Sequence, residues 1–310
     1  MLNQVRRVGA LLLLGAWLGC MAMAGSASSS IPTQTPARGT YRVATHAGTF
    51  ARHGRRHGRR VPADGCYARS AIVIEPGSGR VLYEKNAGVA VPIASLTKLM
   101  TALVFLERKP DLDRVAEVTR AELAGAGHTR LRNHERLALR DLLHMSLMCS
   151  DNAATRVLAR ESGLPPEDFL ARMNQMALEL GLSHTRYVEF TGLDERNVST
   201  ATDIARLLHA AADNPIFQNI STTRSYEFRS ATRRHEIANT NRLLYGRYEI
   251  LGGKTGFIQE SGYCLATWVR VQGHDLIAVV LGDPTNATRF ADVMRLVQRT
   301  LSADFAPSQS

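Results

Sequence analysis

Strand-like segments cluster near the two ends of the foldable part of this chain, with helical periodicity between them. That distribution constrains the fold more than any other feature of the 310 residues. "SAIVI" and "RVLYE" flank Pro76-Gly77-Ser78-Gly79, a turn of the right chemistry, and predict a hairpin over 69–85. Toward the other end, "GYCLATWVRV", read as an edge strand, and "DLIAVVL" are joined only by Gln272-Gly273-His274, so they pair antiparallel. In between, Leu139, Leu142, Leu143 and Leu147 follow three-four spacing. So do Phe169, Met173, Met176 and Leu180, and then Ile204, Leu207, Leu208 and Ala211. A last helix runs from about Thr288 to Leu301. The pattern predicts an α/β fold: one antiparallel sheet built from both ends of the chain, packing helices, and a helical subdomain inserted at about 110–215. A cleft is expected where that subdomain meets the sheet.

The foldable part begins late. Residues 1–24 read as a signal peptide, with Arg6 and Arg7, an apolar stretch from Val8 to Leu18, and Ala22-Met23-Ala24 as the cleavage site. The stretch is short for a membrane span. Gly19-Cys20 is the alternative, a lipoprotein site, and Trp17 is a poor residue three before that cysteine. Residues 25–65 read as a disordered basic tether, and 25–62 contain no acidic residue. "ARHGRRHGRR" suits either a solvated spacer or contact with anionic envelope polymers. The two leader arginines and seven in 25–62 account for nine of the ten net positive charges, leaving +1 for residues 63–310. A folded part so nearly neutral is not built to steer nucleic acid. Residues 66–305 are then the folded domain and 306–310 a tail, with no transmembrane anchor expected in the secreted, periplasmic product.

Three cysteines remain after cleavage: Cys66, Cys149 and Cys264. An odd, sparse set argues against a disulfide framework, although one pair could bridge. Buried small hydrophobes are the expectation for Cys149 and Cys264.

Within this frame one residue is out of place. "IASLTKLMTA", residues 93–102, puts Lys98 in a run that is otherwise uncharged from Val91 to Leu106. Residues three apart share a helical face, so Ser95 and Lys98 are neighbours. Leu96, Leu99, Met100, Leu103, Val104 and Phe105 make the helix apolar nearly all round, as a buried one is. Desolvation disfavours the charged ammonium, and a neutral lysine can take the proton of a serine hydroxyl. The bland alternative is a core helix whose lysine snorkels outward. Lysine usage weighs against it: 34 of the 38 basic residues are arginine, and only Lys85, Lys98, Lys109 and Lys254 are lysine. Arginine cannot be deprotonated in a protein, whereas a desolvated lysine can.

A second retained lysine lies in "GGKTGF". Lys254 and Thr255 suit a carboxylate, and glycine at 256 permits close approach of a ligand to the backbone. A third element, "MCSDNAA", carries Ser150 and Asn152; a local cap is its bland reading. Ser-x-x-Lys, Ser-Asp-Asn and Lys-Thr-Gly, in that chain order, are the set found in penicillin-binding proteins and class A β-lactamases. Each match alone is cheap; three in order are not.

Beyond the triplet, the chain resembles the low-molecular-mass penicillin-binding proteins, serine-type D-alanyl-D-alanine peptidases. The likeness runs from about Ala68 to Leu301 through "SAIVIEPGSGRVLYEKNAG", "LRDLLHMSLMCSDNAA", "TGLDERNVSTATDIARLL" and "KTGFIQESGYCLATWV". "TGLDERNVST" and "KTGFIQESGYCL" look most like the periplasmic endopeptidase subgroup. One departure is "RNHERLALRDLL", where the family usually has a glycine beside the glutamate. The resemblance implies a β-lactamase/transpeptidase-like fold, peptidoglycan peptides as substrate, β-lactams as covalent inhibitors, and no metal or cofactor. It implies Ser95 as nucleophile, Lys98 as base, Ser150 as proton relay and Asn152 as the group that binds the substrate amide and steadies Lys98. Lys254, Thr255 and Gly256 engage the carboxylate side, the N–H groups of Ser95 and Phe257 hold the oxyanion, and Arg289 binds a carboxylate.

Three enzyme rivals each lack something. A class A β-lactamase needs Glu-x-x-Leu-Asn, and Glu167-x-x-Leu170 is followed by Ala171. "HEIAN" has Asn239 where a zinc protease needs histidine, and no Gly-x-Ser-x-Gly elbow occurs. A non-catalytic wall-binding module would tolerate arginine at 98. A carboxypeptidase would share all these residues.

Overall fold

The computed structural model describes residues 62–304. The signal peptide, the tether apart from its last few residues, and the C-terminal tail lie outside the described residues. In chain order the elements are β1 (Ser70–Ile74), β2 (Val81–Lys85), β3 (Val91–Pro92), a 3₁₀ turn at Ala94–Leu96, α1 (Thr97–Glu107), β4 (Val115–Glu117), α2 (Arg120–Leu123) and β5 (Arg136–Ala138). Then follow α3 (Leu139–Met148), α4 (Asn152–Glu161), α5 (Pro166–Glu179), β6 (Val198–Ser199), α6 (Ala201–Ala212) and α7 (Pro215–Thr222). The chain closes with β7 (Ser225–Arg229), β8 (Arg234–Ala238), a 3₁₀ turn at Arg242–Tyr245, β9 (Glu249–Ile258), β10 (Gly262–Val271), β11 (His274–Asp283) and α8 (Asn286–Asp304).

The main sheet has the order β2-β1-β11-β10-β9, antiparallel throughout, and joins both ends of the folded part as the sequence pattern requires. Alternation along β11 explains why the sheet is covered on both faces. Leu276, Ala278 and Val280 pack with Phe290, Val293 and Val297 of α8, whereas Ile277, Val279 and Leu281 face the larger core around α1 and α6. Each of these fully buried aliphatic side chains contributes roughly 1.5–3 kcal/mol. Asp292 of α8 ties down the chain's entry, accepting from the N–H groups of Tyr67 and Ala68. Order begins a little before Cys66: Asp64 pairs with Lys85 at 2.8 Å, inside the stretch assigned to the tether.

One strand differs from expectation. "GYCLATWVRV" is β10, an inner strand; the edge is β9, which itself carries Lys254-Thr255-Gly256. Gly252 and Gly253 gave that segment the look of a loop, yet Gly253 has no room for a side chain: a Cβ there would lie 2.9 Å from the carbonyl of Ala266. Edge position leaves one side of β9 unpaired with any strand, and β9 packs against the 3₁₀ turn at Ala94–Leu96 and α7. Among the described residues no helix is long and apolar enough to cross a membrane.

Candidate active site

The chain reaches the site from β3. Pro92 is the last residue of that strand rather than the first of a helix, and Ala94 then adopts φ +48°, a left-handed conformation that costs an alanine energy. This bend turns Ser95 into the 3₁₀ turn that leads into α1, one helical turn ahead of Lys98. Thr97 secures the bend, its hydroxyl donating to the carbonyl of Ala94 at 2.8 Å.

Lys98 is completely buried, along with almost the whole of α1. Its Nζ lies 3.0 Å from Ser95 Oγ, 2.6 Å from Asn152 Oδ1 and 2.6 Å from the carbonyl of Thr191. All three acceptors are neutral, so the ammonium has lost its water and gained no counter-ion in contact. Desolvation lowers its pKa to about 7, against the more distant pull of Glu189 and Asp151. A lysine neutral near pH 7 and in contact with a serine hydroxyl is a base waiting for its proton.

The opposite wall holds the second lysine. Lys254, also buried, donates to Ser150 Oγ at 2.9 Å and to the carbonyl of Thr255 at 2.9 Å. Its pKa falls well below the ordinary value, first through desolvation and then through the nearby charges of Lys98 and Arg289. Ser150, which meets it, has its backbone in the left-handed region at φ +63°. Between Ser150 and Asn152, Asp151 caps α4 by accepting from the N–H of Ala154, so the Ser-Asp-Asn segment is both a helix cap and a site element. Asn152 Nδ2 donates to the carbonyl of Ala126, fixing the amide so that its oxygen faces Lys98. Thr255 Oγ1 pairs with Thr240 Oγ1 at 2.6 Å.

Gly256 has a packing reason beside the one its sequence context suggests. A Cβ there would come within 3.0 Å of the carbonyl of Ile93 and 3.2 Å of the Ser95 nitrogen. Its missing side chain lets β9 close on the turn that carries Ser95. Phe257 follows, half exposed and stacked on Tyr263. Arg289, expected as a carboxylate receptor, lies against this segment. It is 6% exposed, and its Nη1 donates to the carbonyls of Gly256 at 2.9 Å and Cys264 at 3.2 Å. It braces β9 from inside.

Sequence reasoning missed the loop that seats Lys98. The Glu189 carboxylate accepts from the backbone N–H groups of Thr191, Gly192 and Leu193, from the Thr191 hydroxyl and from Asn197 Nδ2. That holds the Thr191 carbonyl on Lys98 and presses Gly192, at φ +85°, against the carbonyl of Ala94, which an added Cβ would meet at 1.9 Å. "TGLD" was visible as a run of letters, but a backbone carbonyl acceptor leaves no mark in a sequence.

The rejected motifs fall outside this cluster. Glu167 is exposed in the first turn of α5, and His235 of "HEIAN" is buried in β8 against Glu135. Among the described residues no group of three or more His, Cys, Asp or Glu side chains is placed to hold a metal ion. Cys66, Cys149 and Cys264 are free thiols. Burial pushes Cys149, partly exposed at its residue surface, up to about 11 and raises the fully buried Cys66 and Cys264, so none is a nucleophile at neutral pH.

Comparison with known proteins agrees with this arrangement. The peptidase S11 family model, described as D-alanyl-D-alanine carboxypeptidase, matches residues 58–285. A D-alanyl-D-alanine endopeptidase of Pseudomonas aeruginosa is 39% identical over 233 residues, 73% of this chain and 75% of the relative. The crystal structure of the Streptomyces K15 DD-transpeptidase superposes with a TM-score of 0.73 at 26% identity, covering 76% of this chain and 98% of that one. Penicillin-binding protein D2 of Listeria monocytogenes, in its cefotaxime-bound form, gives a TM-score of 0.67 at 29% identity over the same shares.

Proposed function

The chain belongs to the serine D-alanyl-D-alanine peptidases of the S11 family, and from that premise we propose that it is an endopeptidase that opens peptidoglycan cross-bridges through an acyl-enzyme on Ser95. The observation that carries the chemistry is the contact between Lys98 Nζ and Ser95 Oγ at 3.0 Å, in a place where the amine has only neutral partners. Neutral Lys98 takes the proton from Ser95 as Oγ forms its bond to the carbonyl carbon of the D-alanyl residue. Charge that develops on the carbonyl oxygen is received by the backbone N–H groups of Ser95 and Phe257. The C–N bond then breaks, and the departing amine takes a proton by way of Ser150, itself in contact with Lys254. Asn152 keeps Lys98 aligned, and Lys254 with Thr255 supplies the amine and hydroxyl donors that suit a substrate carboxylate. Water, activated by the same lysine, releases the acyl group.

β-Lactams acylate Ser95 by the same attack and leave slowly, because no Glu-x-x-Leu-Asn pair is present to prime a deacylating water. The preference for cross-bridges over terminal D-alanine is supported by the endopeptidase relative. The work is done in the periplasm after removal of residues 1–24. Incubating the purified enzyme with cross-linked dimeric and with monomeric pentapeptide muropeptides, and separating the products, tests the reading. Monomers released from the dimer support it; release of D-alanine from the pentapeptide alone assigns a carboxypeptidase.

A further inference from the structure

A concave surface of about 580 Å³ beside the site is lined by four arginines, Arg130, Arg132, Arg233 and Arg234, together with Glu236. Two of the arginines have carboxylate partners: Arg233 pairs with Glu135 and Arg234 with Glu227. Arg130 gives its guanidinium only to the backbone carbonyl of Glu236, and the guanidinium of Arg132 has no hydrogen bond or ion pair among the described residues. Both are exposed. In a domain whose net charge is close to zero, this leaves a local positive surplus opposed by the single carboxylate of Glu236.

The surplus is fastened to the catalytic segment. Thr129 Oγ1 donates to both carboxylate oxygens of Asp151, at 2.9 and 2.8 Å, and the Arg130 N–H donates to Oδ2 at 3.0 Å. Asp151 stands between Ser150 and Asn152, so the arginine-bearing loop is registered to the residue that hands a proton to the leaving amine. Cutting a terminal D-alanine releases only one amino acid. Cutting a cross-bridge releases a whole peptide arm, which must continue past Ser150.

We propose that the Arg130–Arg132 surface is a subsite for the carboxylate-bearing peptide arm that leaves when a cross-bridge is cut. The proposal rests on the endopeptidase reading and gives it a structural source of selectivity. Guanidinium forks match carboxylates in geometry as well as charge, and an exposed pair acts within about a Debye length, roughly 10 Å at 0.1 M salt.

The test uses the full chain carrying Ser95→Ala, with and without Arg130→Ala and Arg132→Ala. Two probes are titrated: a cross-linked dimeric muropeptide and the same dimer with its carboxylates amidated. Loss of the two arginines is expected to weaken the native dimer roughly fivefold to tenfold at low salt, with little loss for the amidated one and a gap that closes as salt is raised. Equal affinity with and without the arginines overturns the proposal, and so does an equal loss on both probes. Failure of the endopeptidase reading is a separate result: wild-type enzyme would leave the dimer intact, while the binding ratio would still decide the subsite.

Discussion

Among the described residues, the buried surroundings of Glu135 and of Lys98 behave in opposite ways. Around Glu135, the carboxylate is met by Arg233, by His235 Nε2 at 2.7 Å, by the Ser230 hydroxyl and by the Arg132 N–H. Burial works to raise its pKa, yet these partners outweigh it and hold the carboxyl below its usual range. The charge is retained and the cluster is structural, with His235 stacked flat on Phe228. Around Lys98, burial is just as complete, but every contact is a neutral oxygen. There the charge yields. Burial by itself therefore says nothing about chemistry; burial without a contacting counter-ion does.

That contrast can be broken at several points. Ser95→Ala should abolish covalent labelling by fluorescent penicillin, and labelling at the wild-type rate would remove the nucleophile from the account. Lys98→Arg keeps a cation and deletes the base, so acylation should fall by about three orders of magnitude, within the usual reach of general-base catalysis. Stopped-flow labelling reads it, and an arginine enzyme of full activity would reduce Lys98 to an electrostatic role. Gly192→Ala puts a methyl where the Ala94 carbonyl lies and shifts both Ser95 and the Thr191 acceptor, for an expected loss of about a hundredfold in acylation. Glu135→Ala should have the smallest catalytic effect and a clear structural one. It strips the contacts from buried His235 and half-buried Arg233, with an expected cost of about 3 kcal/mol in a denaturant melt. The folded fraction should still be acylated at the normal rate.

The pH profile follows from the same contrast. Lys98 is protonated below about 7 and cannot accept the Ser95 proton, so acylation should rise as pH passes 7 and then level. A rise delayed to pH 10 would place the base in solvent.

The sheet from both chain ends, the helical insertion and the three polar motifs were legible because each rests on local chemistry. Hydrophobic period, turn residues and a lysine amid apolar neighbours can all be read along the chain. The edge strand was misplaced because Gly252 and Gly253 lower strand propensity, and the reason for Gly253, its close approach to the Ala266 carbonyl of β10 and to Asn241, appears only in the packing. The burial of Arg289 against the Gly256 and Cys264 carbonyls depends on α8, β9 and β10 coming together, which no local pattern reports. Thr191 escaped for the plainest reason: the atom that matters is its backbone oxygen.

The scarcity of lysine makes the central claim directly measurable. With only Lys85, Lys98, Lys109 and Lys254 present, ¹³C labelling of lysine gives few Cε resonances, and Lys98→Arg identifies one of them by its loss. That resonance should titrate with a midpoint near 7; a midpoint near the ordinary 10.5 would contradict the account.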